Sequence, residues 1–306
     1  MALPRAADRR TDDVLTRQPA SWIDVDWRAA QRWLPVDGRA VNAIDVGEGP
    51  VVVLVHGLSG NWQNWLEVIP ALIGAGHRVI AFDLPGFGHS EMPAEPISVP
   101  GYARTIDAVV DALGVDGPAA FVGSSMGGFI TAEMAISHPD RVERLVLVSA
   151  AALWSEQARA RPLVVASKVS RFYAPLLVSG WELLARLPRL RNEALRGAGL
   201  RNTARISAPL AYELLSGAGK PGFIDALQAL YDYRIRDRLP EIACPTLVVW
   251  GAEDPMVPLR HAFEYENLIP DAHAVVFPRT GHAPMLEEPE RFNAALLGFL
   301  HEDARR

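Results

Sequence analysis

Residues 119–128 read AAFVGSSMGG, and this stretch decides the fold. The apolar run Ala119–Val122 ends directly in Gly-Ser-Ser-Met-Gly at 123–127, and residues typical of a helix follow. The pattern G-x-S-x-G is weak by itself, since about one chain in ten of this composition would contain it by chance. Its position between a strand and a helix makes it specific, because a serine on so tight a turn presents its hydroxyl above the sheet in a strained conformation. Ser125 is therefore a candidate nucleophile; the alternative is a serine that only caps the helix.

Short aliphatic runs recur along the chain and alternate with helix-like stretches. The runs are apolar on both faces and lie at 51–57, 77–83, 119–124, 144–150, 245–251 and 272–277. Amphipathic stretches lie at 99–113, 126–138 and 289–300. This alternation predicts an α/β fold with a mostly parallel central sheet flanked by helices. Upstream, apolar and polar residues alternate over Trp22–Trp27 and Arg39–Val46, which predicts an antiparallel start to the sheet.

The alternation breaks once, between residues 154 and 240. No strand pattern occurs there, and prolines interrupt a helix-like sequence rich in arginine, leucine and aromatic residues. A segment of this length is too long for a loop and predicts a small helical subdomain. We expect an inserted helical cap at 154–240 and a core formed by 1–153 and 241–306. The aromatic side chains of the insertion form its own core or, alternatively, line a cavity where it meets the sheet.

A serine nucleophile needs a base, and two histidines in loops are the candidates. His282 lies in a loop that can reach over the carboxyl edge of the sheet; His89, after a Gly-Phe-Gly turn, is the alternative base. Asp254 is the candidate acid that orients the base, and Glu253 is the competing residue for this role. Alternatively, Asp254 serves only as the N-cap of the helix that follows. The chain order Ser125, Asp254, His282 is the order expected for a serine on a strand-to-helix turn.

These residues together resemble the α/β-hydrolase fold family, and the resemblance runs from about Pro35 to Leu300. His56-Gly57, after the first long strand, resembles the family's oxyanion loop. By that match the backbone N–H groups of Leu58 and Met126 would receive the developing oxyanion. Asp83–Ser90 resembles the turn after the next strand and is interpreted as structural. The insertion falls where family members carry a helical cap over the active site.

The resemblance also bears on the reaction. Epoxide hydrolases and haloalkane dehalogenases of this fold carry aspartate at the position of Ser125, so the serine in this chain implies acyl chemistry instead. Carbon–carbon bond hydrolases of ring-cleavage pathways share the Ser-Met-Gly-Gly sequence and a cap. Many of them have a tryptophan directly after the histidine, where this chain has Ala283. Cofactor-free haloperoxidases resemble the same core and usually lack so large a cap. The pattern is therefore most similar to capped serine esterases and lipases.

Composition excludes several other classes of protein. The chain has 306 residues, 49% hydrophobic and 22% charged, so it can bury a large core. A net charge of −6 predicts no nucleic-acid partner. Metal-ligand and phosphate-loop motifs do not occur, so neither a metal nor a cofactor is predicted, and the single Cys244 is expected to be a buried structural thiol. The first 20 residues lack the apolar core of a signal peptide, and no aliphatic run could span a bilayer, which predicts a cytoplasmic protein without an integral membrane segment.

The sequence thus predicts a serine hydrolase that cleaves a small hydrophobic carboxylic ester through an acyl-enzyme on Ser125. Two alternatives stay open: carbon–carbon bond hydrolysis of a ring-cleavage product by the same three residues, and a ligand receptor on this fold that has lost turnover. In the insertion, Trp181, Leu183, Leu184 and Leu187 lie close to one apolar face of a helix-like stretch. This face predicts a lid over the site and a preference for medium-length hydrophobic acyl chains. The alternative is that the arginines of the insertion select acidic substrates.

Overall fold

One sheet forms the centre of the molecule. A computed structural model describes residues 22, 27–151, 153, 185–216 and 220–302. The strands are β1 Gln31–Val36, β2 Arg39–Val46, β3 Val51–Val55, β4 Arg78–Phe82, β5 Ala119–Ser124, β6 Val142–Val148, β7 Thr246–Gly251 and β8 Ala272–Phe277. They form an eight-stranded sheet in the order β1-β2-β4-β3-β5-β6-β7-β8. Strands β3 to β8 run parallel, whereas β2 pairs antiparallel with β4 and β1 pairs antiparallel with β2.

Helices cover both faces of this sheet. In the described residues they are α1 Trp27–Ala30, α2 Ile69–Gly74, α3 Val99–Ala112, α4 Met126–Ser137, α5 Pro188–Gly197, α6 Ala208–Ser216, α7 Phe223–Asp232, α8 Arg260–Leu268, α9 Pro284–Glu287 and α10 Pro289–Leu300. Apolar residues of α3, α4 and α8 pack against one face of the sheet, and those of α2 and α10 pack against the other. Strands β5 and β7, which both have neighbours on each side, are buried along their whole length, as strands covered on both faces must be. The predicted fold class is confirmed.

The first strand differs from the sequence-based expectation. Strand β1 is Gln31–Val36, whereas we expected the first strand at Trp22–Trp27; residues 23–26 lie outside the described part of the chain, and Trp27 begins α1. The hairpin joining β1 to β2 turns at Asp37 and Gly38, with φ of +48° and +73°. Two consecutive positive φ angles characterise the tight turn that best fits strand twist, and Asp-Gly favours it. This turn, more than alternation, locates the antiparallel pair.

The chain between β6 and β7 holds no strand in its described residues. It holds helices α5, α6 and α7 instead, and we call the described residues 185–216 and 220–240 the insertion. At its return to the core, Arg238 donates to both carboxylate oxygens of buried Glu133 on α4, at 3.1 and 2.8 Å, and to the Tyr233 hydroxyl at 2.6 Å. The domain boundaries at 154 and 240 remain predictions. None of the helices in the described part of the chain is both long and apolar enough to cross a membrane.

Candidate active site

Ser125 stands at the turn between β5 and α4 with a strained backbone. Its φ of +53° and ψ of −115° lie outside the regions that L-residues favour. The surroundings hold it there: the Ser125 N–H donates to the Val148 carbonyl at 2.9 Å, and the Ser125 carbonyl accepts from Ala151 N–H at 2.9 Å. Strain of this kind persists where the neighbouring structure over-determines it, and it is concentrated at functional sites.

The glycines around Ser125 are required by close packing. A Cβ on Gly127 would overlap the carbonyl oxygens of Val55 and His56, and a Cβ on Gly123 would overlap the Gly127 carbonyl. The turn therefore lies directly against the end of β3, where only backbone fits. This packing is the physical reason for the G-x-S-x-G spacing.

His282 and Asp254 meet across the loops that follow β7 and β8. The Asp254 Oδ2 atom lies 2.8 Å from His282 Nδ1, and the Asp254 side chain is 0% exposed against 15% for His282. The other carboxylate oxygen, Oδ1, accepts backbone N–H groups from Met256 at 2.8 Å and Val257 at 2.9 Å. Because an ionised carboxylate only accepts, Nδ1 of His282 carries the proton and Nε2 is left as the acceptor.

The loop after β3 is held by His56. Leu84 N–H donates to His56 Nε2 at 2.9 Å, so Nε2 is the acceptor, and Nδ1 donates to the Gly57 carbonyl at 2.8 Å. Burial lowers the pKa of His56, with nearby Asp83 and the Gly57 hydrogen bond opposing the shift, so the ring is neutral. Asp83, itself buried, accepts the backbone N–H of Trp62 at 2.8 Å from the same loop. His56 therefore holds this loop in place, and both of its ring nitrogens are already hydrogen-bonded to backbone groups.

Leu58 and Met126 both lie near Ser125. Leu58 lines the same cavity as Ser125, and Met126 is the first residue of α4. The N–H groups in the first turn of a helix have no partner within the helix and carry its positive dipole end. The Met126 N–H therefore has the character that an oxyanion site needs, and the role of the Leu58 N–H remains a prediction.

Ser125 and His282 line one cavity of about 350 Å³. Core loops form its floor, and α5, α6 and α7 of the insertion form much of its wall. The apolar residues contributed by the insertion are Leu195, Ala198, Leu200, Leu214, Phe223, Leu227 and Leu230. Tyr231 adds a hydroxyl, and because burial raises its pKa this group stays neutral at pH 7. Among the lining residues that the structure describes, His282 is the single ionisable group that can become positively charged, since no arginine or lysine belongs to the lining.

The sequence did not predict which insertion residues line the site. Of the expected apolar face, Trp181, Leu183 and Leu184 lie outside the described residues, and Leu187 is 43% exposed. The contact that brings the insertion to the base is between backbones: His282 N–H donates to the Gly199 carbonyl at 2.9 Å. Gly199 has a φ of +98°, and a glycine after a helix was the one local signal that could have located this turn.

The competing residues are placed away from the cavity lining. Glu253 is exposed beside Asp254, and His89 is not part of the lining described above. Burial raises the pKa of Cys244 to about 11, so its thiol is protonated at neutral pH. Within the described ranges, no three His, Cys, Asp or Glu side chains gather as a metal ion would require.

The fold and this site define an α/β hydrolase, and the chain belongs to the α/β-hydrolase fold family, whose pattern matches residues 50–289. One relative is a 2-hydroxy-6-oxononadienedioate/2-hydroxy-6-oxononatrienedioate hydrolase of Comamonas testosteroni, 32% identical, covering 84% of this chain and 89% of the relative. Another is a pimeloyl-[acyl-carrier protein] methyl ester esterase of Vibrio vulnificus (strain YJ016), 29% identical, covering 83% and 95%. Among solved structures, an esterase from Exiguobacterium antarcticum is similar with a TM-score of 0.70 and 26% identity, covering 88% of this chain and 99% of that one. These relatives support hydrolase activity.

Proposed function

We propose that the protein is a serine hydrolase that cleaves neutral carboxylic esters with hydrophobic acyl groups. The observation that carries the proposal is the hydrogen bond of 2.8 Å between His282 and the buried Asp254, beside a strained Ser125 that lines the same apolar cavity as His282. A serine hydroxyl, an imidazole with a free acceptor nitrogen and a buried carboxylate are the groups that acyl transfer requires.

In the proposed mechanism Ser125 attacks the acyl carbon while His282 Nε2 takes the hydroxyl proton. The imidazolium that forms lies against Asp254, whose charge stabilises it. The backbone N–H groups of Leu58 and Met126 bind the oxyanion of the tetrahedral intermediate, a contribution typically worth about 10²–10³ in rate for each donor. His282 then protonates the leaving alcohol, and a water activated by His282 releases the acid from the acyl-enzyme.

The electrostatics of the cavity favour a neutral substrate over a carboxylate. Burying an unpaired charge costs several kcal/mol, and no described arginine or lysine lines the cavity to compensate it. Several arginines of the insertion bind protein groups instead. Arg205 pairs with Glu290 at 2.7 Å, Arg238 with Glu133 at 2.8 Å, and Arg201 Nε donates to the Glu253 carbonyl at 3.2 Å.

Hydrolysis of p-nitrophenyl esters tests the proposal. The wild type should hydrolyse the butyrate ester, and Ser125→Ala should abolish the activity while keeping the same melting temperature. Ser124→Ala, one residue earlier in the same turn, is the matched control and should retain most of the activity. A Ser125→Ala protein as active as the wild type would remove Ser125 from the mechanism.

A second candidate is hydrolysis of a carbon–carbon bond in a vinylogous diketo acid. The relative from Comamonas testosteroni, whose name describes hydrolysis of a dienedioate, favours it. The lack of an arginine or lysine in the described lining and the presence of Ala283 after His282 stand against it. The ratio of kcat/KM for a ring-cleavage product to that for p-nitrophenyl butyrate decides between the two. A ratio well above one would replace the ester proposal with the carbon–carbon one.

The receptor alternative is tested by covalent labelling. A fluorophosphonate reacts only with a serine that a base has activated. Labelling of the wild type at Ser125 supports an enzyme, whereas a folded protein that stays unlabelled would be a binding protein on a hydrolase fold.

A further inference from the structure

A carboxylate that the mechanism does not use lies buried behind the candidate base. Glu287, in α9, is 0% exposed, and among the described residues four hydrogen-bond donors reach its carboxylate, all of them backbone N–H groups. A fully buried carboxylate is costly unless its oxygens are satisfied, so its retention here calls for a reason.

Two of the four donors flank His282. Gly281 N–H donates to Glu287 Oε2 at 3.1 Å, and Ala283 N–H donates to Oε1 at 3.3 Å. The N–H of His282 itself donates to the Gly199 carbonyl at 2.9 Å. Three consecutive N–H groups of the base loop are therefore fixed, two of them by one carboxylate.

The other two donors come from the insertion. Arg201 N–H and Asn202 N–H both donate to Glu287 Oε2, at 2.7 and 2.8 Å, and the Asn202 amide also donates to the Glu287 carbonyl at 3.3 Å. One buried group thus joins the loop that carries His282 to the segment that contains Gly199. No side chain fits between them, because a Cβ on Gly281 would overlap the Gly199 carbonyl.

We propose that Glu287 is a positioning residue for His282: its carboxylate holds the base loop in register with the insertion and so aims the imidazole at Ser125. This inference rests on the proposed function. Catalysis by proximity depends on geometry at the ångström scale, and a misplacement of about 1 Å can cost about 10²-fold in rate. Glu287 does not touch the reacting atoms, so its effect on the reaction must pass through His282.

Glu287→Gln tests this with little change in size. An amide oxygen can replace Oε2, which accepts three of the four bonds, but the amide NH₂ then faces Ala283 N–H, the donor directly after His282. The kcat for p-nitrophenyl butyrate, normalised to sites titrated with a fluorophosphonate, should fall by about 10- to 100-fold, with KM within about twofold of the wild type. A purely structural role would lower the fraction of titratable sites and leave kcat per site unchanged, which would overturn the proposal.

Glu290→Gln is the matched control. Glu290 lies three residues later and also joins the insertion to the core, through Arg205 at 2.7 and 3.1 Å, but this pair is exposed and does not touch the base loop. Its kcat per site should stay within twofold of the wild type. An equal loss in both variants would show that any link to the insertion matters, and Glu287 would have no special role.

Glu287→Asp decides the case if the glutamine variant does not fold. It keeps the buried charge but is one methylene too short to reach both loops, so the same fall in kcat per site is expected. If neither variant folds, or if Glu287→Asp retains wild-type kcat, the positioning role is rejected. A wild type that neither hydrolyses esters nor reacts with the fluorophosphonate would instead refute the proposed function, so the two failures are distinguishable.

Discussion

Replacing Asp254 by asparagine tests the hydrogen bond that sets the tautomer of His282. The two oxygens of Asp254 have different partners: Oδ1 accepts the N–H groups of Met256 and Val257, and Oδ2 faces His282 Nδ1 at 2.8 Å. In Asp254→Asn the amide oxygen satisfies the two N–H groups best, and the NH₂ group then points at Nδ1. His282 must accept at Nδ1 and carry its proton on Nε2, so it cannot take the proton of Ser125.

The magnitude follows from the cost of the opposite orientation. Turning the amide around restores the correct tautomer but leaves the buried Val257 N–H and the partly buried Met256 N–H without their acceptor, at about 1–3 kcal/mol each. With 1.36 kcal/mol for each factor of ten, the competent orientation is disfavoured by roughly 30-fold to 10⁴-fold. The lost negative charge beside the imidazolium adds to this, so kcat should fall by about 10² to 10⁴, with little change in KM.

The assay is hydrolysis of p-nitrophenyl butyrate at saturating substrate, with kcat taken per fluorophosphonate-titrated site. Glu253→Gln, the exposed neighbour of Asp254, is the control and should stay within twofold of the wild type. An Asp254→Asn enzyme with a kcat within threefold of the wild type, or an equal loss of kcat in Glu253→Gln, would refute the tautomer argument.

Three further predictions concern the cavity, the insertion and stability. For p-nitrophenyl esters from acetate to octanoate, kcat/KM should rise by up to about fourfold per methylene, because the cavity lining is apolar. Leu230→Ala should make this increase with chain length smaller. A wild-type kcat/KM that falls steadily from acetate contradicts the prediction. Gly199 has a φ of +98°, and Gly199→Ala adds a methyl group 2.9 Å from the His282 Cβ, so this variant should lower kcat at least about tenfold. Gly197→Ala, whose added methyl group would meet nothing within 4 Å, should leave kcat unchanged. Equal kcat values in the two variants would count against a role for the contact between Gly199 and His282. Burial lowers the pKa of His56 below its ordinary 6.5, so in acid the unfolded chain binds more protons than the folded one. The free energy of unfolding should therefore fall as the pH drops below about 6.5, by up to about 1.4 kcal/mol per pH unit for this group. Urea unfolding at pH 7.5 and 5.5 measures the fall, and His56→Gln should reduce it; an unchanged fall in that variant would assign it to other groups.

Local sequence carried enough information for the core and for the candidate triad. The alternation of buried strands and amphipathic helices reflects side-chain burial within single elements, so β3 to β8 could be read without knowing what each strand pairs with. Ser125, Asp254 and His282 each follow a strand of the sheet. Because the carboxyl ends of parallel strands lie at one edge, these positions predict three side chains at that edge. In the structure Asp254 contacts His282, and Ser125 lines the same cavity as His282; their catalytic roles remain a proposal.

The antiparallel edge of the sheet was less predictable. Alternation placed the first strand at Trp22–Trp27, but the strand that pairs with β2 is Gln31–Val36. A short alternating stretch is weakly specific, and the pairing is set by the Asp37-Gly38 turn, whose two positive φ angles fit an antiparallel hairpin. Turn chemistry carried the information that periodicity did not.

Only the tertiary structure decided how the insertion meets the site. The Gly199 carbonyl accepts the His282 N–H, and the N–H groups of Arg201 and Asn202 donate to the Glu287 carboxylate. These bonds join residues more than eighty positions apart, and on the side of the insertion all of them are made by backbone groups. Backbone groups are the same at every residue, so these bonds leave no mark in the sequence beyond one glycine. Glu287 reads as an ordinary helix glutamate for the same reason: its four partners are amides, and its burial depends on two distant loops closing over it.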